Sequence, residues 1–296
     1  MRGLVKRIAK KVMIGVQAIS PALATKILFK KYMGYPLDMK NPKTLTEKMQ
    51  WLKLKVYRND PLVRQCVDKY AVRDYVKSCG REDLLVNLLG TWDDVAQIDW
   101  DSLPQQFVLK CNHGSGSVII CRDKSTFDVG KAKIDLSKWL KEDFGAHRAE
   151  LSYKGVQRKI ICEEIIQTED GKAPKDYKFF CSYGEPKFLF VASNRQGEEA
   201  YFDFFDLEWS HYPVENGHPN TPIELKKPEN FEAMVKAARD LAGVFPIVRV
   251  DLYNENGKIY FGELTFLHFG GLHPFKPSEF DRVFGDMMPL KGREKI

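Results

Sequence analysis

From Phe107 to Phe266 the chain is written largely in β-branched and aromatic runs, FVLK, SVIIC, KIICEEIIQ, DYKFFCSY, PKFLFVAS, IVRVDLY and KIYFGELTF, separated by turn-forming residues. Such side chains fit a pleated surface, so the runs predict strands. Gly184-Glu185-Pro186 and the stretch Asn254 to Gly257 each fall between two runs and predict reversals. Up to about residue 100 the apolar spacing is helical instead. TLTEKMQWLKLKVY opens with Thr46 and Glu47 and sets Met49, Leu52 and Val56 on one face, and a second helix is predicted from Pro61 to Gly80. A further helix, PENFEAMVKAARDLAGVF, starts at Pro228, stops at Gly243 and points Phe231, Met234, Val235, Ala238 and Leu241 inward. Helices followed by a mostly antiparallel sheet with inserted helices make an α+β body.

At 296 residues the chain is long enough for two domains or one large one, with a core that needs no disulfide staple. Its six cysteines include no CxxC pair, and several lie in apolar runs where a thiol behaves as a small hydrophobe; a reducing, cytoplasmic setting is expected. No stretch reaches the roughly 20 apolar residues of a membrane-spanning helix, and no short apolar core precedes a small-residue cleavage site, so a protein neither secreted nor integral is expected.

The net charge of +6 is uneven: residues 1–37 hold Arg2, Lys6, Arg7, Lys10, Lys11, Lys26, Lys30 and Lys31 and no acid. Leu4, Val5, Ile8, Val12 and Val16 recur there at helical spacing, which predicts a basic amphipathic arm over residues 1–40. Two readings are open. Residues 1–34 lie on an anionic membrane surface, or the helix packs on the body with a solvated basic face. Nucleic acid is not expected as a partner, because no interleaving of basic and aromatic residues extends beyond the arm. Without internal repeats or a proline-rich linker the other boundaries are soft, with a helical region over 41–105 and a strand-rich domain over 106–296.

The run QFVLKCNHGSGSVII, Gln106 to Ile120, places Lys110 at the root of a small polar loop with a strand-like run on either side. A Walker loop requires GxxxxGK[ST] running into a helix, and a dinucleotide loop requires GxGxxG running into a helix. Gly114 and Gly116 supply only GxG, and the SVIICRD that follows is too β-branched for a helix. What remains is a strand-loop-strand cover whose amides, bared by the two glycines, close over phosphate oxygens while Lys110 adds a point charge. A plain glycine hairpin with an exposed lysine explains the same residues.

VRVDLYNENGKIYFGELTF sets Asp251 and Glu263 among apolar neighbours on two runs joined by a tight turn. A half-buried carboxylate is costly unless it is paired or bound to a cation. Mg²⁺ takes one or two protein carboxylates together with phosphate oxygens, so a metal-nucleotide site would stabilise both acids. The alternative is a solvated sheet face with salt bridges to Arg249 or Lys258. Register supplies a test. A two-residue Asn256-Gly257 turn pairs Asp251 with Gly262 and turns Glu263 to the other face, so an odd loop or a bulge is required for the two acids to lie across from each other.

NPKTLTEKMQWLK (Asn41 to Lys53), DKYAVRDYV (Asp68 to Val76), LPQQFVLKCNHGSGSVII, ICEEII, DYKFF and VRVDLY followed by GELTF occur in an order that resembles the TupA-like branch of the ATP-grasp superfamily, from about residue 41 to about 271. The resemblance implies two α+β lobes clasping ATP, preceded by a reduced, mostly helical region where the wider superfamily has a Rossmann-like domain. It also implies ATP and Mg²⁺ as cofactors. Lys110 and the loop residues Asn112, His113, Gly114, Ser115, Gly116 and Ser117 would lie over the triphosphate. Glu163, Glu164, Ile165 and Ile166 would form the hinge that holds adenine and ribose, with Lys178 and Lys69 as further phosphate-binding lysines. Asp251 and Glu263 match the magnesium carboxylates, and Thr265, where asparagine is usual, is a third candidate ligand.

By the same resemblance the chain is a carboxylate-amine ligase, in which the γ-phosphoryl group passes to a carboxylate and an amine then displaces phosphate to form an amide. Positioning and charge neutralisation carry most of such a reaction, with Lys110 and Arg249 as candidate catalytic residues. Arg249 lies two residues from Asp251, hence on the same strand face, and a salt bridge that orients Asp251 is its other reading. Arg195 is the third catalytic candidate and joins His268, Gly270 and Gly271 in the expected acceptor pocket. The expected substrates are an amino acid or similar amine and a carboxylate-bearing saccharide, such as a uronic acid of a cell-surface polysaccharide or its precursor. The rivals are a glycosyltransferase, for which Asp99-Trp100-Asp101 supplies a DxD, a kinase of a sugar hydroxyl, and a non-catalytic module recruited to the membrane through the arm.

Overall fold

The computed structural model describes residues 12–145, 150–169, 171–194, 197 and 199–291, so the first part of the basic arm and Arg195 lie outside the described residues. Residues 12–19 are helical, and α1 (Pro21–Met33) follows, with the Ser20 hydroxyl accepting from the Leu23 amide at its start and Gly34 at φ 84° at its end. The helix expected to open at Thr46 begins one residue earlier, as α2 (Leu45–Lys55). Its cap is Thr44, which accepts from the Glu47 amide while Glu47 reaches back to the Thr44 amide. Thr46 gives its hydroxyl hydrogen to Asp281 instead.

The single helix expected from Pro61 to Gly80 is in fact two, α3 (Pro61–Val67) and α4 (Val72–Ser78). Asp68 breaks it by offering an alternative acceptor: its carboxylate takes the amides of Tyr70 and Ala71 and, at 2.8 Å, the side-chain amide of Asn112. The turn so formed carries Lys69 to the glycine loop, where its ammonium donates to the Gly114 carbonyl.

Four strands, β1 (Leu88–Trp92), β2 (Phe107–Cys111), β3 (Val118–Cys121) and β4 (Ile160–Glu163), form an antiparallel sheet in the order β1-β4-β2-β3. β1 comes from the segment expected to be helical, so the strand-rich unit reaches back across residue 106. Alternation along β2 buries Phe107, Leu109 and Cys111 against Leu136 of α5 (Val129–Lys141) and leaves Val108 and Lys110 on the other face. The loop between β2 and β3 is the expected strand-loop-strand element.

The second sheet has six strands, β5 (Asp176–Ser182), β6 (Glu185–Ser193), β7 (Tyr201–Phe205), β8 (His211–Tyr212), β9 (Val248–Glu255) and β10 (Lys258–Thr265), in the order β10-β9-β5-β6-β7-β8. On one face α6 (Phe231–Ala242) packs Phe231, Met234, Ala238 and Leu241 into a core with Phe179, Val250 and Leu252. On the other face the β6 end is aromatic and closed by α7 (Glu279–Asp286), whose Phe284 stacks on Phe188 at 4.0 Å. The β5-β9-β10 end of that face is charged, and it faces a cavity.

Candidate active site

Lys178 on β5, Asp251 on β9 and Glu263 on β10 are direct partners across three neighbouring strands. The β9-β10 turn is the two-residue Asn256-Gly257 type, with both residues at positive φ, 51° and 74°. Left regular, that turn would pair Asp251 with Gly262. A bulge between Phe261 and Glu263 shifts the register by one, so that Asp251 and Glu263 lie opposite each other as the shared site requires. Arg249 and Thr265 are partners in the next row.

Arg249 grips Asp251 through Nε at 2.6 Å and Nη2 at 2.7 Å, and Nη2 also reaches Glu263 at 3.2 Å and the Thr265 hydroxyl at 3.0 Å. Lys178 donates to Asp251 and lies 2.5 Å from Asp176. The salt bridge to Arg249 that the sequence left as an alternative is therefore present, but on a buried face rather than a solvated one; Lys258 sits at the far end of β10. Burial pushes the Asp251 carboxyl up against the pull of Arg249 and Lys178. For Glu263 the balance tips the other way. Burial pushes it up, but the charges of Lys69, Arg249 and Lys178 and the Thr265 hydroxyl outweigh that and hold it at about 2.

Two cavities meet on this row. One, of about 400 Å³, has apolar walls from Val108, Val118, Ile120, Ile166 and Phe261 and a charged end at Lys110, Lys178, Asp251 and Glu263. The other, of about 230 Å³, is lined by Arg249, His268, Phe190, Phe202, Phe269 and Tyr153 among others. Lys69, Ser115, Lys178, Gly262 and Glu263 wall both. A group carried at that wall is within reach of a molecule in either chamber.

Of the expected loop residues, Gly114, Ser115 and Gly116 border these cavities. Gly114 is at φ 78°, and a Cβ there would meet the Phe144 ring at 2.7 Å. Asn112, His113 and Ser117, expected with them over phosphate, border neither of these two cavities. Asn112 is fully enclosed and binds Asp68, the Gln157 carbonyl and the Lys159 amide, so it pins the root of the loop. The His113 ring lies 3.2 Å from the Trp139 carbonyl and ties the loop to α5. Ser117 faces a small separate pocket beside Trp139.

Lys110 lies 2.5 Å from Glu163, which Arg73 approaches at 3.3 Å from the other side. Glu164, Ile165 and Ile166 line the larger cavity, where Asn87 fixes Glu164 through both backbone and side chain. Thr265 gives its hydroxyl hydrogen to Glu263 Oε1 at 2.7 Å and so orients that carboxylate. Sequence reasoning did not single out Asp176, Arg73 or Asn216. Strand alternation in DYKFF could have found Asp176, two residues from Lys178 on the same face; the other two carry no local signal.

Among the described residues no three His, Cys, Asp or Glu side chains cluster as a metal site made by protein alone. Two facing carboxylates suit Mg²⁺, which completes its shell with phosphate oxygens and water. Glu263 uses Oε1 for Thr265 and Arg249, and among the described residues nothing claims Oε2. Asp251 has both oxygens engaged by Arg249 and Lys178. The apolar walls suit a flat base, and the lysines at the charged end suit a polyphosphate.

The protein-family model described as TupA-like ATPgrasp matches residues 47–289. Among solved structures, an L-amino acid ligase from Bacillus licheniformis is similar at 14% identity and a TM-score of 0.51, over 94% of this chain and 64% of that one. A D-alanine--D-alanine ligase from Bacillus anthracis is similar at 16% identity and a TM-score of 0.39, over 69% of this chain and 59% of that one. The chain thus spans less than two thirds of the length of either, and the first likeness bears on the fold alone. No curated protein matches the sequence. The expected motif order, the two α+β lobes and the family match over 47–289 agree, and the chain belongs to the TupA-like ATP-grasp family.

Proposed function

We propose that the protein joins a carboxylate to an amine, converting ATP to ADP and phosphate through an acyl-phosphate. The observation that carries this reading is the shared wall. Lys69, Lys178 and Glu263 border both a chamber shaped for a nucleotide and a second, aromatic chamber. Adenine would rest between the apolar walls, and Lys110, Lys69 and Lys178 would face the phosphates. Glu263, joined by Asp251 when Lys178 turns from it to phosphate, would hold Mg²⁺, which when bound neutralises phosphate charge. Arg249 borders the second chamber and supplies positive charge where the acceptor carboxylate meets the γ-phosphoryl group.

The two acids at the charged end of the larger cavity, Glu263 and Asp251, favour a carboxylate acceptor over a hydroxyl. A hydroxyl needs a base to take its proton, whereas Glu263 is held at about 2 and Asp251 is locked between two cations. A carboxylate at neutral pH has no proton to lose. Against a glycosyltransferase, Asp99 and Asp101 border neither chamber, and the Asp101 amide donates to Asp99 at 3.2 Å in a surface turn.

We take the carboxylate to be a uronic acid of a cell-surface polysaccharide or its precursor, for whose ring Phe190, Phe202 and Phe269 offer flat faces. No helix of the described residues is long and apolar enough to cross a membrane. Peripheral binding to an anionic inner-leaflet surface rests on α1, which exposes Leu23 and Ile27 beside Lys26, Lys30 and Lys31. The test is ADP release from MgATP against a panel of uronic acids and amino acids, with hydroxylamine present to trap the acyl-phosphate as a hydroxamate. ADP release supported equally by neutral sugars, with no hydroxamate, would sink the ligase reading in favour of a kinase.

A further inference from the structure

On the side of Arg249 away from Asp251, a buried polar chain runs to the backbone. Arg249 Nη1 lies 2.5 Å from His268 Nδ1, His268 Nε2 lies 2.8 Å from Asn216 Oδ1, and Asn216 Nδ2 donates to the carbonyls of His273 at 3.2 Å and Pro274 at 3.1 Å. Exposure is 1% for Asn216, 6% for His268 and 7% for Arg249, so water does not compete. Three aromatic rings hold the imidazole from its sides: Phe180 at 5.4 Å, Phe190 at 5.3 Å and Phe269 at 4.4 Å between centroids.

Each link dictates the next. Carbonyl oxygens only accept, so Asn216 turns its NH₂ to them and its oxygen to the histidine. That oxygen needs a proton on Nε2. A guanidinium only donates, so Nδ1 must be the bare nitrogen. His268 is thereby neutral, with its one lone pair taken by Arg249, and it has no site left with which to accept a substrate proton. Burial and the charge of Arg249 push its pKa in the same direction, well below the ordinary value.

We propose that His268 and Asn216 are positioning residues: they fix the guanidinium of Arg249 in the plane that grips Asp251, and His268 is not the base of the reaction although it lines the acceptor chamber. The reaction they serve rests on the ligase reading above, but their arrangement does not. Removing the acceptor at Nδ1 would let Arg249 rotate away from Asp251 and Glu263 together. Asn at position 268 can still present an amide oxygen near the place of Nδ1; Leu cannot.

Two measurements separate the alternatives. In the wild-type protein labelled with ¹⁵N-histidine, a two-bond ¹H-¹⁵N spectrum, assigned by the one signal lost in His268→Asn, should show a neutral Nε2-H ring from pH 5.5 to 8. A protonated ring or an Nδ1-H tautomer overturns the proposal, and this readout needs no turnover. In the ADP-release assay with glucuronate and galacturonate as probes, His268→Leu should lower kcat by roughly 10²-fold, the size of losing one preorganised charge contact, while ADP affinity stays within about threefold. His268→Asn should recover most of that loss. Equal failure of both variants with an acid limb in the wild-type profile would make His268 a base, and a parallel fall of ADP affinity and Tm would make it merely structural; either result overturns the proposal. A wild-type protein that releases no ADP with any carboxylate refutes the ligase reading and leaves the spectrum to decide the tautomer.

Discussion

Two cations bring three donors to the two oxygens of Asp251, and the site turns on that competition. Arg249 takes both oxygens in a fork, and Lys178 takes one of the same two. Asp251→Asn keeps the shape but removes the charge that holds both cations, so ADP release should fall by roughly 10²-fold or more while nucleotide binding by the apolar walls persists. Steady-state assay beside ADP titration distinguishes this from unfolding. Glu263 behaves differently because its carboxylate is held at about 2 in the fold against an ordinary 4.5. A carboxyl with a depressed folded value stabilises the protein above its unfolded value, and loses that contribution as pH falls through the folded one. In urea unfolding between pH 4.5 and 2, wild type should lose stability faster than Glu263→Gln; equal slopes would show that the cations around Glu263 do not act on it.

Among the elements, the glycine loop and the split between α3 and α4 act as one device. Asp68 ends α3 and also holds Asn112 at the foot of the loop, while the Lys69 amide donates to the Asn112 carbonyl at 2.9 Å. The helix break and the loop that covers the site are therefore built on the same two residues. Gly114 and Gly116 both adopt positive φ, at 78° and 84°, but only Gly114 has a neighbour where a Cβ would go. Backbone strain alone costs about 1–3 kcal/mol for a residue other than glycine in such a region. Gly114→Ala should therefore weaken ADP binding more than Gly116→Ala, since Phe144 must also move. Titration of ADP into the two variants checks the order, and equal losses would mean that Phe144 yields freely.

For the whole molecule, the decisive arrangement is that two sheets face each other with a charged row at one end of their cleft. Phe284 of α7 seals the aromatic half of the larger sheet at Phe188 and Phe204, while Phe190 and Phe202 stay open to the second cavity beside the β5-β9-β10 end. The basic α1 lies elsewhere, packed through Leu28 and Phe29 with Leu37 and Leu272. Its outer side leaves Leu23 51% and Ile27 41% exposed among lysines. Sedimentation with phosphatidylglycerol vesicles should exceed that with phosphatidylcholine vesicles, fall with salt, and drop in a Leu23→Glu/Ile27→Glu variant. Equal sedimentation with both lipids would leave α1 as a helix with a solvated basic face.

Much of this was legible in residue order. The β5, β6, β9 and β10 runs, the Asn256-Gly257 turn and the strand-loop-strand form around Gly114 follow from side-chain type and spacing. Even the bulge at Gly262 was demanded by two acids that otherwise fell on opposite faces. These features are local: alternation with period two and the dihedral freedom of glycine act within a few residues. What tertiary structure alone decided is which group each polar side chain meets. Asn112 and His113 turn inward because Asp68, Lys159 and Trp139 arrive from distant parts of the chain; Glu163 meets Lys110 and Arg73; Arg249 meets His268 and, through it, Asn216. A buried donor must find an acceptor, but the sequence does not say where along the chain that acceptor lies, because packing of whole elements chooses it.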